Sequence, residues 1–303
     1  MGAEPVKLDP DLSWPELPLD AWADTYATLH MWTQIAGKIR MTLSPALNHW
    51  WHTALYVNPR GLTTSLIPYG AGAFEIQFDF IGHELQILAS DGNRSSLPLA
   101  PESVAAFHDK LMFALRSMRI DIAINEKPQE VADAIPFGKD ERHCSYDPEY
   151  AHRWWRILLS TGTVLSEFRS RFIGKCSPVH FFWGSFDLCC TRFSGRSAPP
   201  RKGVITSEAY SHECISAGFW PGGGPIPGAA FYSYTAPQPP GLQDEPILPA
   251  AAAWHKDLSE FILMYDDLRR AESPRAALLE FLESTYAAGA KLAKWDGAAL
   301  ERK

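Results

Sequence analysis

Residues 174–188 read Gly174-Lys175-Cys176-Ser177-Pro178-Val179-His180-Phe181-Phe182-Trp183-Gly184-Ser185-Phe186-Asp187-Leu188. This stretch sets a few polar side chains into an otherwise apolar run. Burying a polar group without a partner lowers stability, so core packing alone would not select Asp187 between Phe186 and Leu188. The stretch therefore predicts a buried strand that carries a functional site.

We interpret residues 180–188 as one strand, in which alternate side chains point to opposite faces. His180 then lies on one face and Asp187 on the other. Both faces are largely apolar, as in a central strand that is covered on both sides. Asp187 is either held in an internal ion pair by Arg192 or Arg196, or it is a general base or a residue that orients a histidine.

The composition is that of a globular protein. The chain has 303 residues, of which 46% are hydrophobic and 12% aromatic, enough for a large core. Its formal net charge of -7 argues against a nucleic-acid partner, because phosphate binding needs a concentrated basic face. The N-terminus lacks the regions of a signal peptide, and no apolar run approaches the roughly 18 residues of a membrane span. We expect a cytoplasmic protein without a membrane partner.

The five cysteines are an odd number and include no C-x-x-C pair. Neither a disulfide framework nor a closed zinc knuckle is indicated. Most of these cysteines are expected to be small buried hydrophobic residues. They are Cys144, Cys176, Cys189, Cys190 and Cys214.

Hydrophobic periodicity predicts the order of helices and strands. The expected helices span residues 20–43, 101–118, 257–270 and 274–292. The expected strands span residues 53–57, 62–67, 74–80, 84–89, 119–125, 208–219 and 229–235. The fold class is α+β, with two helix-plus-antiparallel-sheet lobes and C-terminal helices that cover a sheet. The divisions are an N-terminal extension at 1–19, a first lobe at 20–136 and a second lobe at 137–303.

The two lobes resemble each other over a short alignment. A gapless alignment of their helices sets Ser44-Pro45 on Ser177-Pro178, and removing two residues after the proline sets His49 on His180. Two interpretations stay open. One is an internal duplication of a helix plus an antiparallel sheet, and the other is a chance resemblance of two amphipathic helices that each end in Ser-Pro.

Several strings of the chain resemble a known family. They are Leu29–Gln34, Asn48–Trp51, Gly174–Leu188, Tyr210–Glu213 and Phe219–Gly222. The family is a group of bacterial proteins of about this length that is described only as a domain of unknown function. The resemblance covers nearly the entire chain and implies no fold, substrate or catalytic residue.

A few titratable groups among many aromatic residues are typical of a largely apolar pocket with convergent polar groups. We expect an enzyme of unknown reaction class that acts on a small organic molecule in an aromatic-rich cleft between the lobes. His180, Asp187 and His212 are its expected acid and base residues. The alternatives are a non-catalytic binding or sensing protein and an oligomer interface. The expected substrate-binding residues are His49, His52, Trp51, Trp183, Arg192, Tyr210 and Trp220.

A metal site is a further hypothesis. His180, His212 and Glu213 would supply the donors of a two-histidine, one-carboxylate iron or zinc site, so a divalent metal ion is the cofactor that the sequence suggests. The spacing is not diagnostic, because the neighbouring side chains of His212 and Glu213 diverge in a strand.

A polar stripe runs along the first expected helix, where His30, Gln34 and Lys38 recur every four residues. The stripe is either a solvated helix face, or it faces the second lobe and contacts the polar groups of a ligand.

Overall fold

The computed structural model describes residues 14–302. The extension predicted at 1–19 lies outside the described residues as far as residue 13. The α-helices of the described residues are α1 (Leu19–Leu43), α2 (Val104–Ser117), α3 (Pro148–Ser170), α4 (Val204–Ala209), α5 (Tyr265–Arg269), α6 (Pro274–Leu292) and α7 (Gly297–Leu300). Short 3-10 segments span Asn48–Thr53, Phe137–Lys139 and Leu242–Asp244.

The first sheet is an antiparallel meander. Its strands are β1 (Tyr56–Asn58), β2 (Gly61–Thr63), β3 (Ile67–Tyr69), β4 (Gly72–Asp79), β5 (Glu84–Ala89) and β6 (Arg94–Pro98). The order across the sheet is β1-β2-β4-β5-β6, and β3 pairs with β4. Alternate residues of β4 are buried, as in Phe74, Ile76 and Phe78, so this strand places one face of the sheet on the core.

The second sheet carries the candidate site. Its strands are β7 (His180–Phe182), β8 (Asp187–Ser197), β9 (His212–Trp220), β10 (Ala230–Ala236), β11 (Ala253–His255) and β12 (Glu260–Met264), in the order β11-β12-β10-β9-β8-β7. One face of this sheet packs on α3 and α6. Leu188, Phe219, Phe231 and Leu263 are buried on that face. The side chains that alternate with them point to the opposite face.

The two halves of the chain share one hydrophobic core. Leu55, just before β1, pairs with Phe181 of β7 through two backbone hydrogen bonds of 2.9 Å, and both side chains are fully buried. Near the start of the described residues, Leu17 is also buried, and the Tyr265 hydroxyl donates a hydrogen bond of 2.7 Å to the Pro15 carbonyl oxygen. The described residues contain no helix that is long and apolar enough to cross a membrane.

The α+β class is confirmed, since helices accompany two antiparallel sheets. The internal duplication is not confirmed. His49 lies in a 3-10 segment with a φ of 57°, whereas His180 lies in β7, so the two aligned histidines have different backbone structures. The boundary between lobes at residue 136 stays a prediction.

The single strand expected over residues 180–188 is wrong, because this stretch is a hairpin. β7 ends at Phe182, a turn follows, and β8 begins at Asp187, directly opposite Phe182. Phe186 has a φ of 59°, which is unfavourable for an L residue. Its ring stacks on Trp154 at a centroid distance of 4.6 Å, and this packing offsets the strain. The hairpin puts His180 on the same face as Asp187, contrary to the prediction, because His180 lies opposite Cys189, two residues after Asp187.

Two other predicted elements also differ. Residues 119–125 alternate like a strand but belong to neither sheet, and the Asp121 backbone N–H donates instead to the Tyr69 hydroxyl at 2.8 Å. The helix expected over 257–270 contains β12 followed by the short α5. Phe261 and Leu263 of β12 are buried, so a period of two prevails where helical periodicity was expected. Helix α4 was not predicted.

Candidate active site

A cavity of about 710 Å³ lies on the face of the second sheet that is turned away from α3 and α6. Side chains of β8, β9, β10 and β12 form its floor. The 3-10 segment Asn48–Thr53, residues 129–130, residues 182–185 and α4 contribute to its walls. Its floor residues are Asp187, Cys189, Thr191, Phe193, Cys214, Ser216, Trp220, Ala230, Tyr232, Tyr234, Glu260 and Ile262.

Asp187 lies at the start of β8 on the cavity floor and is only 7% exposed. The Ser185 hydroxyl donates a hydrogen bond to Oδ1, and the Tyr232 hydroxyl donates one to Oδ2. Burial raises the pKa of Asp187, because desolvation disfavours the charged carboxylate.

The ion pair that was one alternative for Asp187 is not formed. Arg192 points to the opposite face of the sheet, where its guanidinium lies 3.4 Å from the centre of the Phe168 ring. Arg196 forms an ion pair of 2.6 Å with Glu213.

Tyr232 reaches Asp187 by crossing a neighbouring strand. In the sheet register, Tyr232 of β10 lies opposite Gly218 of β9, and Gly218 lies opposite Cys189 of β8. A Cβ atom at position 218 would stand 2.7 Å from the Tyr232 hydroxyl. Glycine at this position therefore leaves the space through which the tyrosine side chain passes.

Two further carboxyl groups line the cavity. Glu260 lies on β12, and burial followed by the charge of Asp187 raises the pKa of Glu260 to about 7. Glu130 lies on the loop before the second 3-10 segment, at the solvent-facing edge, and partial desolvation followed by the charge of Asp187 raises its pKa as well. Among the described residues, no lysine or arginine lines the cavity.

Aromatic side chains form most of the walls. The Trp183 indole N–H donates a hydrogen bond of 2.8 Å to the Thr53 carbonyl oxygen, which fixes the ring. The hydroxyls of Tyr210 and Tyr234 form a hydrogen bond of 3.0 Å. The expected binding residues that do line the cavity are His49, Trp51, Trp183, Tyr210 and Trp220. His52 and Arg192 do not.

The polar stripe of α1 is buried and not solvated, and it fixes the loop that carries Glu130. Gln34 and Lys38 are both 0% exposed. Gln34 accepts a hydrogen bond of 2.7 Å from the Gln129 N–H and donates one of 2.9 Å to the Gln129 carbonyl. The Lys38 ammonium donates one of 2.7 Å to the Lys127 carbonyl. The second alternative holds for His30 alone, whose Nε2 lies 2.8 Å from the Gly184 carbonyl oxygen of the second lobe. Gln34 and Lys38 bond to backbone groups of the first lobe, and contact of the stripe with a ligand stays a prediction.

His180 does not line the cavity. It is 1% exposed, and neither ring nitrogen has a hydrogen-bond partner. Trp51 and Tyr56 cover it at ring distances of 5.7 and 5.5 Å. Burial, followed by the charges of Arg40 and Arg169, lowers its pKa to about 3, so the imidazole is neutral.

His212 is the first residue of the inner strand β9 and lies outside the cavity lining. Its ring lies 5.7 Å from the ring of His49, which does line the cavity and receives a hydrogen bond of 2.6 Å from the Lys175 ammonium. Glu213, next to His212, points to the other face of β9 and pairs with Arg196. The structure therefore does not bring His180, His212 and Glu213 together. Residues 14–302 contain no group of three His, Cys, Asp or Glu side chains that could hold a metal ion.

Sequence reasoning missed Glu130, Ser185, Tyr232 and Glu260. The alternation of Tyr232 and Tyr234 in β10 was a usable signal, since it places two polar aromatic rings on one face of a strand. Glu130 and Glu260 lie in segments without any motif, so only the fold brings them to Asp187.

A family model matches residues 14–302, a range that includes both sheets and every residue of the cavity lining. The chain belongs to the family of unknown function DUF5996. The resemblance stated from the sequence strings is thereby confirmed. Searches of curated proteins and of solved structures found no match to this DUF5996 chain.

Proposed function

We propose that this DUF5996 protein is an enzyme that acts on a small organic molecule in the cavity, with Asp187 as its central acid–base residue. One observation carries the proposal. A carboxyl that is nine-tenths buried lies on the floor of an aromatic cavity, and each of its oxygens accepts a hydrogen bond from a hydroxyl that also lines the cavity. Strongly perturbed carboxyls in clefts are concentrated at functional sites.

The two hydroxyls suit Asp187 to proton transfer. They fix the orientation of the carboxyl and oppose the effect of burial on its pKa, because both donate to the ionised form. Tyr232 contacts Asp187 and also borders the cavity, so its hydroxyl gives a proton a route between the carboxyl and a bound molecule.

Glu260 supplies a second titrating group. Its pKa of about 7 means that both protonation states are populated near neutral pH. Two carboxyls whose surroundings differ can divide the roles of acid and base between them. We assign proton transfer to these carboxyls and not to His180 or His212, because neither histidine lines the cavity.

The second candidate function is binding or sensing without catalysis. The partners of Asp187 favour it. Within residues 14–302 they are the hydroxyls of Ser185 and Tyr232 and no imidazole, whereas histidine is the side chain that enzymes use most often for proton transfer. In such a protein, the same aromatic walls would bind the ligand.

Turnover of a mixture of small metabolites, followed by mass spectrometry, separates the two functions. We expect the wild type and the control Asp267→Asn, which removes an exposed carboxyl, to convert the same compound. Asp187→Asn should slow that conversion by at least about 100-fold and remain folded. Equal turnover by Asp187→Asn would refute its acid–base role, and a compound that binds without conversion would favour the binding function.

We also propose that the protein acts in the cytoplasm. All five cysteines are free thiols in the structure, and the Sγ atoms of Cys176 and Cys190 lie 3.5 Å apart without a bond. Free thiols at this distance are compatible with a reducing compartment. Separating cytoplasmic from exported fractions of the producing cell, with an antibody against the protein, tests this location.

A further inference from the structure

We infer that the molecule bound in the cavity is an organic cation, with an amine or quaternary ammonium group on an apolar body. The inference rests on the proposed function, since it concerns the same cavity and Asp187. It adds the chemical class of the ligand.

The first argument is the missing counter-charge of Asp187. Among residues 14–302 the buried aspartates are Asp79, Asp140 and Asp187. Asp79 forms an ion pair of 2.6 Å with Arg60. The carboxylate of Asp140 lies 2.6 Å from His143 Nδ1 and accepts hydrogen bonds from the backbone N–H groups of Arg142 and His143.

Asp187 receives two hydroxyl hydrogen bonds but no cation from the described chain. Burying a carboxylate without a counter-charge is expensive. The chain offsets that cost at Asp79 with the charge of Arg60, and it gives Asp140 an imidazole and two backbone N–H donors. A ligand that carries a positive charge would supply the missing partner.

The second argument is the charge of the rest of the cavity. Glu130 and Glu260 approach from elements other than β8, and no lysine or arginine of the described residues lines the cavity. Three cations contact rings of the lining without lining the cavity themselves. Lys175 lies 5.4 Å from the Trp51 ring centre, Arg201 lies 3.9 Å from that of Tyr210, and Lys38 lies 6.0 Å from that of Trp183. An anion in the cavity would meet three acidic groups and, among the described residues, no lysine or arginine of the lining, so its binding is disfavoured.

The third argument is the aromatic side chains that line the cavity. Indole and phenol rings attract cations through their negative faces, and Trp is the strongest of them. Trp50, Trp51, Trp183 and Trp220 line the cavity together with Tyr232. These rings also bury apolar groups, so the cavity suits a cation with a hydrocarbon body and not a hydrated inorganic ion.

Four probes of similar shape test the inference: benzylammonium, benzyltrimethylammonium, benzyl alcohol and benzoate, each titrated calorimetrically into the full chain at neutral pH. We expect both cations to bind about tenfold tighter than benzyl alcohol, and benzoate to bind most weakly. Asp187→Asn should remove the preference for the cations and leave the affinity for benzyl alcohol nearly unchanged. Asp267→Asn, which removes an exposed carboxyl, should keep the preference.

Two further variants separate the outcomes. Glu260→Gln changes a partly exposed position and should reduce the preference by a smaller factor, which keeps a test available if Asp187→Asn does not fold. Ala209→Trp places a large ring in the wall and should abolish binding of every probe.

Tight binding of benzyl alcohol or benzoate that Ala209→Trp abolishes would overturn the cation inference and leave the proposed small-molecule function standing. If the folded wild type binds none of the probes, the cavity is not a site for small molecules, and both proposals fail.

Discussion

The hydroxyl of Tyr232 donates a hydrogen bond to Oδ2 of Asp187 across an intervening strand. The two residues lie on β10 and β8, and the Tyr232 side chain passes over Gly218 of β9. The arrangement joins a glycine, a tyrosine and an aspartate from three strands into one unit. The geometry of the proposed acid–base residue therefore depends on a position that has no side chain.

Gly218→Ala is expected to disturb this unit. Its Cβ would stand 2.7 Å from the Tyr232 hydroxyl and even closer to the Leu188 backbone carbonyl, which cannot move without the strand. We expect a loss of about 1–3 kcal/mol in the free energy of unfolding, measured by urea denaturation. The control is Gly162→Ala in α3, whose Cβ would meet only Leu188 Cδ2 at 3.9 Å. That variant should be neutral or more stable by up to about 1 kcal/mol.

Tyr232→Phe is expected to raise the pKa of Asp187 further, because the variant lacks a donor to the ionised carboxyl. Carboxyl NMR titration of protein labelled with ¹³C at aspartate measures this shift. Since a base must be ionised, the rising limb of any activity profile should move to higher pH. Tyr234→Phe is the control, because the Tyr234 hydroxyl bonds to that of Tyr210 and, among the described residues, not to Asp187, so this variant should leave the pKa of Asp187 unchanged. Identical titrations of Asp187 in the wild type and Tyr232→Phe would contradict the assignment.

The sequence was sufficient for elements whose pattern is long or sharply bounded. Helix α1 and helix α6 repeat apolar residues at helical spacing over several turns, and the β4–β5 hairpin is bounded by glycine-containing turns. The sequence was insufficient at residues 180–188, where a left-handed Phe186 turns an apparent strand into a hairpin. The Phe186 ring packs on Trp154, which is distant in the sequence, and no local sequence pattern indicates this contact.

The candidate site was predictable only in part. Asp187 stood out because it is polar in an apolar run, and the tryptophans of the walls stood out by their number. Glu130 and Glu260 are ordinary surface residue types, and they reach the cavity through the fold. His180 shares the stretch with Asp187, yet Trp51 and Tyr56 cover it. The short distance between His180 and Asp187 in the sequence therefore did not predict that His180 lines the cavity.

Glu260 is expected to make stability depend on pH. Its pKa is raised from 4.5 to about 7 on folding, so the folded state binds the proton more tightly than the unfolded state. The stability gained from this tighter proton binding is fully present below the unfolded pKa of 4.5 and is lost as the pH rises through about 7. As the pH rises from 4.5 to 7, the unfolding free energy of the wild type should therefore fall relative to that of Glu260→Gln. Glu272→Gln removes an exposed carboxyl and should show no such trend. A constant difference for Glu260→Gln would contradict the raised pKa.

Gln34→Ala is expected to loosen the loop that carries Glu130. Gln34 is fully buried and satisfies both the N–H and the carbonyl of Gln129, so its removal leaves two backbone groups unpaired and creates a void. We expect a loss of about 2–4 kcal/mol in unfolding free energy and faster hydrogen exchange at the Gln129 amide. Gln243→Ala is the control, since this exposed glutamine bonds to the neighbouring Asp244, and it should change stability by less than about 0.5 kcal/mol. Because Glu130 follows Gln129 directly, the Gln34 variant should also weaken binding of benzylammonium. Unchanged exchange at Gln129 would show that the loop is held by contacts other than those of α1.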